Sequence, residues 1–307
     1  MKRPMTGVAR AWCVGTTALL GLALAPRGVQ AQAWLPAKGS AGFAFDYSDI
    51  LNKKHYNSEG QAADIGHTDV QIYNLSASYS PSDRVALSAS LPFVRTRHRG
   101  GNCCGHDTEI DNGSWHDTVT DLQLMASFQA TGGPVALAPY VGLVIPTHSY
   151  TTFGHAAPGR GLEELWFGFY AGASLHPWVP RTYVQLRGNY AFVEQVLGMS
   201  HDRTNATLEI GYYLNPAWSV RALVTSQWTQ GGIDLPLDPN DPQTAILFPV
   251  HDLLVAENFV SVGAGGSWVI NGRVSAYALY MHMIEGSNAH KVDHRISVGV
   301  SYGVGAH

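Results

Sequence analysis

Val135-Ala136-Leu137-Ala138-Pro139-Tyr140-Val141-Gly142-Leu143-Val144-Ile145 carries a bulky apolar residue or proline at every odd position, and Ala, Ala, Tyr, Gly and Val at the even ones. A period of two places successive side chains on opposite faces of a strand, so this segment has one greasy face and one face of mostly small or hydroxyl-bearing residues. The same alternation returns in Leu165-Phe167-Phe169-Ala171-Ala173-Leu175, in Ala206-Leu208-Ile210-Tyr212-Leu214 and in Ile296-Val298-Val300-Tyr302-Val304. Ala, Gly, Ser, Thr, Gln and Tyr fill the intervening positions.

Extended outward from these four segments, the pattern predicts strands near 40–50, 68–80, 83–96, 119–131, 134–147, 162–176, 181–193, 204–214, 217–230, 256–270, 273–285 and 291–305. Their connections alternate in length. Short ones are Pro81-Ser82-Asp83, Gly132-Gly133, Pro177-Trp178-Val179-Pro180, Asn215-Pro216 and Asn271-Gly272; longer ones fall at 51–67, 97–118, 148–161, 194–203 and 231–255, with a brief one at 286–290. Short turns on one side and long loops on the other are the mark of a membrane barrel. The fold class is therefore all-β, a transmembrane antiparallel up-and-down β-barrel of about 12 strands. After Ala33 no predominantly apolar window reaches the roughly 18 residues a spanning helix requires, which excludes helical spans but not strands. Tyr79, Phe128, Tyr140, Trp178, Tyr183, Tyr212, Tyr213, Trp218, Trp268 and Tyr302 fall near the short-turn ends, where an interfacial aromatic girdle is expected.

The basic start Met1-Lys2-Arg3, the apolar run Val14–Ala25 and the small residues of Val29-Gln30-Ala31-Gln32-Ala33, which offer cleavage after Ala31 or after Ala33, read as a removable export signal over residues 1–33, leaving a single domain at 34–307. Four of the 19 Lys and Arg residues lie in that leader, so 15 bases face 23 acids in the remainder. An acidic chain gives no reason to expect nucleic acid as a partner. The expected surroundings are the lipid bilayer of the cell outer membrane and a small-molecule solute.

Two resemblances add to this reading. Ser297-Val298-Gly299-Val300-Ser301-Tyr302-Gly303-Val304 resembles the C-terminal signature of outer-membrane barrels, which implies contact with the barrel-assembly machinery through Ser297, Gly299, Tyr302 and Val304, with Gly305-Ala306-His307 extending beyond it. Trp34-Leu35-Pro36-Ala37-Lys38-Gly39, with the Asp-led segment Val119-Thr120-Asp121-Leu122-Gln123-Leu124-Met125-Ala126-Ser127-Phe128, resembles the "MetA-pathway of phenol degradation" family of outer-membrane proteins. Thr120 replaces that family's usual Gly. The resemblance implies a transporter-like barrel for aromatic or other small hydrophobic compounds, and no catalytic residues.

The chemistry-bearing segments are few. Cys103-Cys104-Gly105-His106-Asp107 begins a loop rich in thiols, imidazoles and carboxylates. Adjacent cysteines cannot both ligate one tetrahedral ion without backbone strain, so a vicinal or intermolecular disulfide at Cys103 and Cys104 is expected ahead of a metal site. Asp107–Asn112 is a weak calcium-loop match, because its twelfth position is Thr118 where Glu is required. Asp238-Pro239-Asn240-Asp241-Pro242 reads as rigid turns. Ser114-Trp115-His116-Asp117 holds triad residue types consecutively, which no triad geometry uses, and G-x-S-x-G is absent from the sequence. A non-enzymatic channel without cofactor is expected. The alternatives are a lipid-modifying hydrolase and a structural or metal-responsive barrel. Eleven of the 14 histidines (His55, His67, His98, His106, His116, His148, His155, His201, His251, His290 and His294) map to the long-loop side, where convergence would allow a response near pH 6.5 or capture of soft metals.

Alternation also sorts the lumen. Gln185, Arg187 and Asn189, then Glu209 and Tyr213, then Arg221, Thr225 and Gln227 are the expected pore-lining residues, with Thr207 beside them. Pairing across Asn215-Pro216 predicts an Arg187, Glu209, Arg221 ladder on one wall.

Overall fold

The computed structural model describes residues 32–64, 66–100, 109–238 and 240–305. The strands are β1 (Ala41–Tyr56), β2 (Ala62–Ala63), β3 (His67–Ser82), β4 (Val85–Arg99), β5 (His116–Val119), β6 (Asp121–Phe128), β7 (Val135–Pro146), β8 (Glu164–Ser174), β9 (Thr182–Val193), β10 (His201–Tyr213), β11 (Trp218–Gly231), β12 (Asn258–Val269), β13 (Val274–Ser287) and β14 (His290–Val304). Consecutive long strands pair antiparallel, and β14 returns to β1 in a seam that runs from Ala41 against Val304 to His55 against His290. The sheet is closed, so the long strands leave no exposed edge.

Each long strand overlaps one expected from alternation, with one correction. The strand expected at 119–131 is split into β5 and β6 by Thr120. The cause lies across the pair: Pro92 on β4 has no N–H to donate, and the chain adjusts so that Thr120 N donates to Pro92 O at 3.0 Å. The two-residue β2, pairing with the end of β1, has no alternation to betray it.

Outward positions carry the bilayer contact. Leu75, Val135, Phe167, Leu208, Ile210 and Val300 are among the exposed large apolar residues, while Ser48, Asn74, Ser90, Ser219, Ser267 and Ser297 are buried on the inner face. At the short-turn rim Trp218 and Trp268 stack at 5.3 Å and 3°. Three expected girdle residues do otherwise: Tyr140, Tyr183 and Tyr213 have inward parity and belong to the lumen, Tyr140 and Tyr183 being buried. At the opposite end the strands outrun the bilayer and carry charge, with Arg97 and Arg99 both on Asp69 (2.8 and 2.9 Å) and the Arg97 guanidinium over the Trp115 ring at 4.4 Å.

The long loops fold over the mouth and tie to one another. Gly154 N donates to Asp252, His155 N and Ala156 N donate to Asp111, and Arg160 pairs with Glu257 at 2.7 Å. Short helical turns at Thr244–Leu247, Phe248–Val250 and His251–Leu254 form the longest loop, where Phe248 and His251 meet Phe153.

Candidate functional site

The interior is built in three levels, and the level at the short-turn end is narrowed by the chain itself. Ala33 is completely buried against Ala136, Ala138, Tyr140 and Tyr170, with Trp34 and Leu35 packed beside it. Ala33 N donates to Gln185 Oε1 (3.0 Å), Gln129 Nε2 donates to Ala33 O (2.8 Å) and Leu35 N donates to Gln129 Oε1 (2.6 Å). Gly172 makes room for the indole, since a Cβ there would stand 2.5 Å from the Trp34 ring. Small residues on β7 and β8 thus form a socket for residues 33–35, and Gln185 belongs to it.

The middle level is a polar belt. Glu209 accepts from Tyr183 OH at 2.8 Å and lies 3.5 Å from Arg221, which is the expected Glu209–Arg221 pairing. Arg187 does not complete the ladder. Its register partner on β10 is Thr207, and its guanidinium turns the other way, over the rings of Tyr140 (5.7 Å) and Tyr170 (5.4 Å), with Nε donating to Tyr140 OH at 3.2 Å. Two aromatic faces and a phenol oxygen on the neighbouring strands offer a desolvated cation more contact than a carboxylate already held by Tyr183 and Arg221. Beyond Arg221 the belt continues: its guanidinium lies 5.5 Å from the Tyr277 ring, Tyr277 OH donates to Asp46 at 2.8 Å, and Asn74 and Ser90 follow. Arg221 on β11 is paired in register with Gly265 of the intervening β12, which has no side chain to stand between it and Tyr277 on β13. Thr225 faces Thr207, their hydroxyls 3.0 Å apart, and Tyr213 packs on Tyr183 at 5.5 Å.

The level under the loops encloses a cavity of about 160 Å³. Asn189, Gln227, Arg203, Glu164 and Trp166 contribute to it from the wall, and Arg160, His155 and Glu257 from the loops. Arg203 pairs with Glu164, whose second oxygen accepts from Trp166 Nε1 at 2.8 Å. Tyr150 OH donates to Asp121 at 2.6 Å and accepts from Gly161 N. Burial first, and then the Asp121 carboxylate, hold that phenol well above its ordinary range, so it remains a donor.

Other chemistry-bearing segments take local roles. Cys103, Cys104, His106 and Asp107 lie outside the described residues, as does the expected export signal through residue 31. His116 Nε2 lies 3.2 Å from Asn112 Oδ1, and the Asp238 and Asp241 carboxylates accept from Asn240 N and Gln243 N within their own turns. Among the described residues no group of three or more His, Cys, Asp or Glu side chains is arranged to hold a metal ion. The second-loop and longest-loop acids, Asp111 and Asp252, pin loop amides, a use that no sequence pattern announced.

No family profile and no curated protein matches this sequence. Among solved structures, the fold is similar to the COG4313 outer membrane channel from Pseudomonas putida F1, with TM-score 0.68 at 15% identity over 90% of this chain and 100% of that one. It is also similar to the NanC porin, with TM-score 0.51 at 8% identity over 84% and 98%. The chain has the fold of an outer-membrane β-barrel. The resemblance to the phenol-degradation family rests on its short motifs alone.

Proposed function

We propose that the protein is a channel for small solutes, and that its preferred cargo is a small aromatic compound bearing a polar substituent. The observation that carries this reading is the composition of the inner wall. Trp166 and Tyr277 offer ring faces, the buried Tyr140, Tyr170 and Tyr183 back the wall, and between them Glu209, Arg221, Arg187 and Asp46 form a belt of charges tied to these rings. Such a surface can stack an aromatic ring while exchanging hydrogen bonds with its substituent. The fold shared with outer-membrane channels and the short-motif resemblance to a phenol-associated family support the same reading.

The test is solute-driven swelling of liposomes that hold the full-length protein. Phenol and small aromatic acids are expected to enter faster than sugars of similar mass. Equal rates across aromatics, sugars and amino acids would overturn the cargo, and impermeability to all of them would overturn the channel.

Gln185, Arg187, Asn189, Glu209, Tyr213, Arg221, Thr225 and Gln227 are proposed to line the path. In planar bilayers Glu209→Gln is expected to move the permeability ratio toward anions and Arg187→Gln toward cations. Each change should be roughly two- to three-fold, because a unit charge in a narrow, low-dielectric passage contributes a potential on the order of kT or more. If both variants fold and neither alters selectivity or conductance, ions pass elsewhere.

A further inference from the structure

Four histidines from four separate segments meet at the mouth of the barrel. His98, at the loop end of β4, lies against His155 of loop 147–163 with ring centroids 4.5 Å apart and planes tilted by 31°. His155 meets His290 at 5.4 Å, and His290 meets His55 across the β14–β1 seam at 4.9 Å, both edge to face. His98 is 1% exposed; its Nδ1 is 2.9 Å from Thr68 Oγ1, and its Nε2 has no hydrogen-bond partner among the described residues. The chain of rings flanks the cavity, which His55, His155 and His290 help to line.

Loop 147–163 is anchored at its flanks by Tyr150 OH on Asp121 and by Arg160 on Glu257, and Phe153 packs on Phe248 and His251. Its amides at Gly154, His155 and Ala156 donate to Asp252 and Asp111, and His155 is wedged between His98 and His290. The other titratable groups that face the rings are Asp111, beyond β4, and His251 with Asp252, from the turn His251–Leu254. His251 and Asp252 lie 3.2 Å apart. Neutral imidazoles pack against each other without penalty, whereas neighbouring imidazolium rings repel in a poorly hydrated site. The two carboxylates already serve as acceptors for the loop amides, so they can offset the first proton taken up by the cluster better than those that follow.

We propose that this histidine chain is a pH-operated latch: loop 147–163 is seated over the mouth while the imidazoles of His55, His155 and His290 are neutral and is released when they take up protons. An acidic exterior then opens the barrel, a consequence that rests on the channel reading above, whereas release of the loop does not. For His155, burial and then His98 lower the pKa from its ordinary value, against the pull of Asp111 and Asp252. The seated state therefore binds fewer protons than the released one. Its advantage is complete above the ordinary histidine pKa of about 6.5 and is lost as the pH falls below that value. Each imidazole barred from protonation while seated shifts the balance by up to about thirty-fold at pH 5.

Hydrogen exchange at Gly154–Ala156, corrected for the intrinsic pH dependence of exchange, reads the latch directly in full-length protein in lipid. Protection is expected to fall between about pH 7.5 and pH 5, and channel open probability to rise over the same interval. His155→Phe, which keeps an aromatic ring and removes the proton, should flatten both responses; His290→Phe serves the same purpose if the first variant does not assemble. Wild-type protection that is independent of pH, or a Phe variant that keeps the wild-type response, would overturn the proposal. Release of the loop with conductance present but unchanged would uphold the latch and overturn its control of the barrel, whereas release with no conductance at any pH would uphold the latch and overturn the channel reading.

Discussion

Removing residues 34–37 should raise the single-channel conductance several-fold. These residues connect the first barrel strand to Ala33, which cleavage of the export signal after Ala31 leaves on the mature chain and which is completely buried in the lumen. Four residues of extended chain span about 13 Å, so the deletion draws Ala33 back toward the rim and takes Trp34 out of the notch over Gly172. The three amide hydrogen bonds that hold the segment, to Gln185 and Gln129, are each worth about 1 kcal/mol. Nothing large replaces them, because the facing residues are Ala136 and Ala138. Gln129→Ala removes two of the three bonds and leaves the indole seated, and its effect should be smaller. Unchanged conductance in the deletion would show that solutes bypass the socket.

The second large effect is on stability. Glu164→Gln should lower the urea midpoint of unfolding in lipid vesicles, read by tryptophan fluorescence, by the equivalent of about 3–5 kcal/mol. Arg203 and Glu164 form an ion pair whose side chains are only 6% and 12% exposed, so the neutral variant strands a guanidinium in the wall. Glu164→Met combined with Arg203→Met should recover most of the loss, since the penalty comes from the unpaired charge. A single-variant loss under about 1 kcal/mol would mean that water in the cavity solvates Arg203.

The alternation of β7, β8, β10 and β14 made the barrel legible, because lipid on one face and lumen on the other impose a period of two along the whole strand. Parity also assigned Glu209, Arg221 and Thr225 to the interior, and the Asn215-Pro216 turn set the register that brings Glu209 to Arg221. Parity says nothing about which way a long side chain leans. Arg187 had a carboxylate within reach on one side and two tyrosines on the other, and only the packing of β7 against β8 decides between them. The tyrosines near the short turns were misread for a related reason: proximity to the membrane interface was weighed above parity, although Pro139 and Val141 already placed Tyr140 inward. The socket for Ala33 and the loop carboxylates Asp111 and Asp252 were illegible, since their partners are backbone groups brought close only by closure of the barrel.

The seam between β1 and β14 joins the first long strand to the last, from Ala41 against Val304 to His55 against His290. Nearly the whole chain must therefore be delivered before the cylinder can close. Until then the growing protein is a sheet with two open borders and a greasy outer face, the form most prone to pair with a neighbour. The topology thus imposes a waiting period on this polypeptide, during which both borders are open to other chains. A chain cut short anywhere before residue 290 has no strand with which to end that wait.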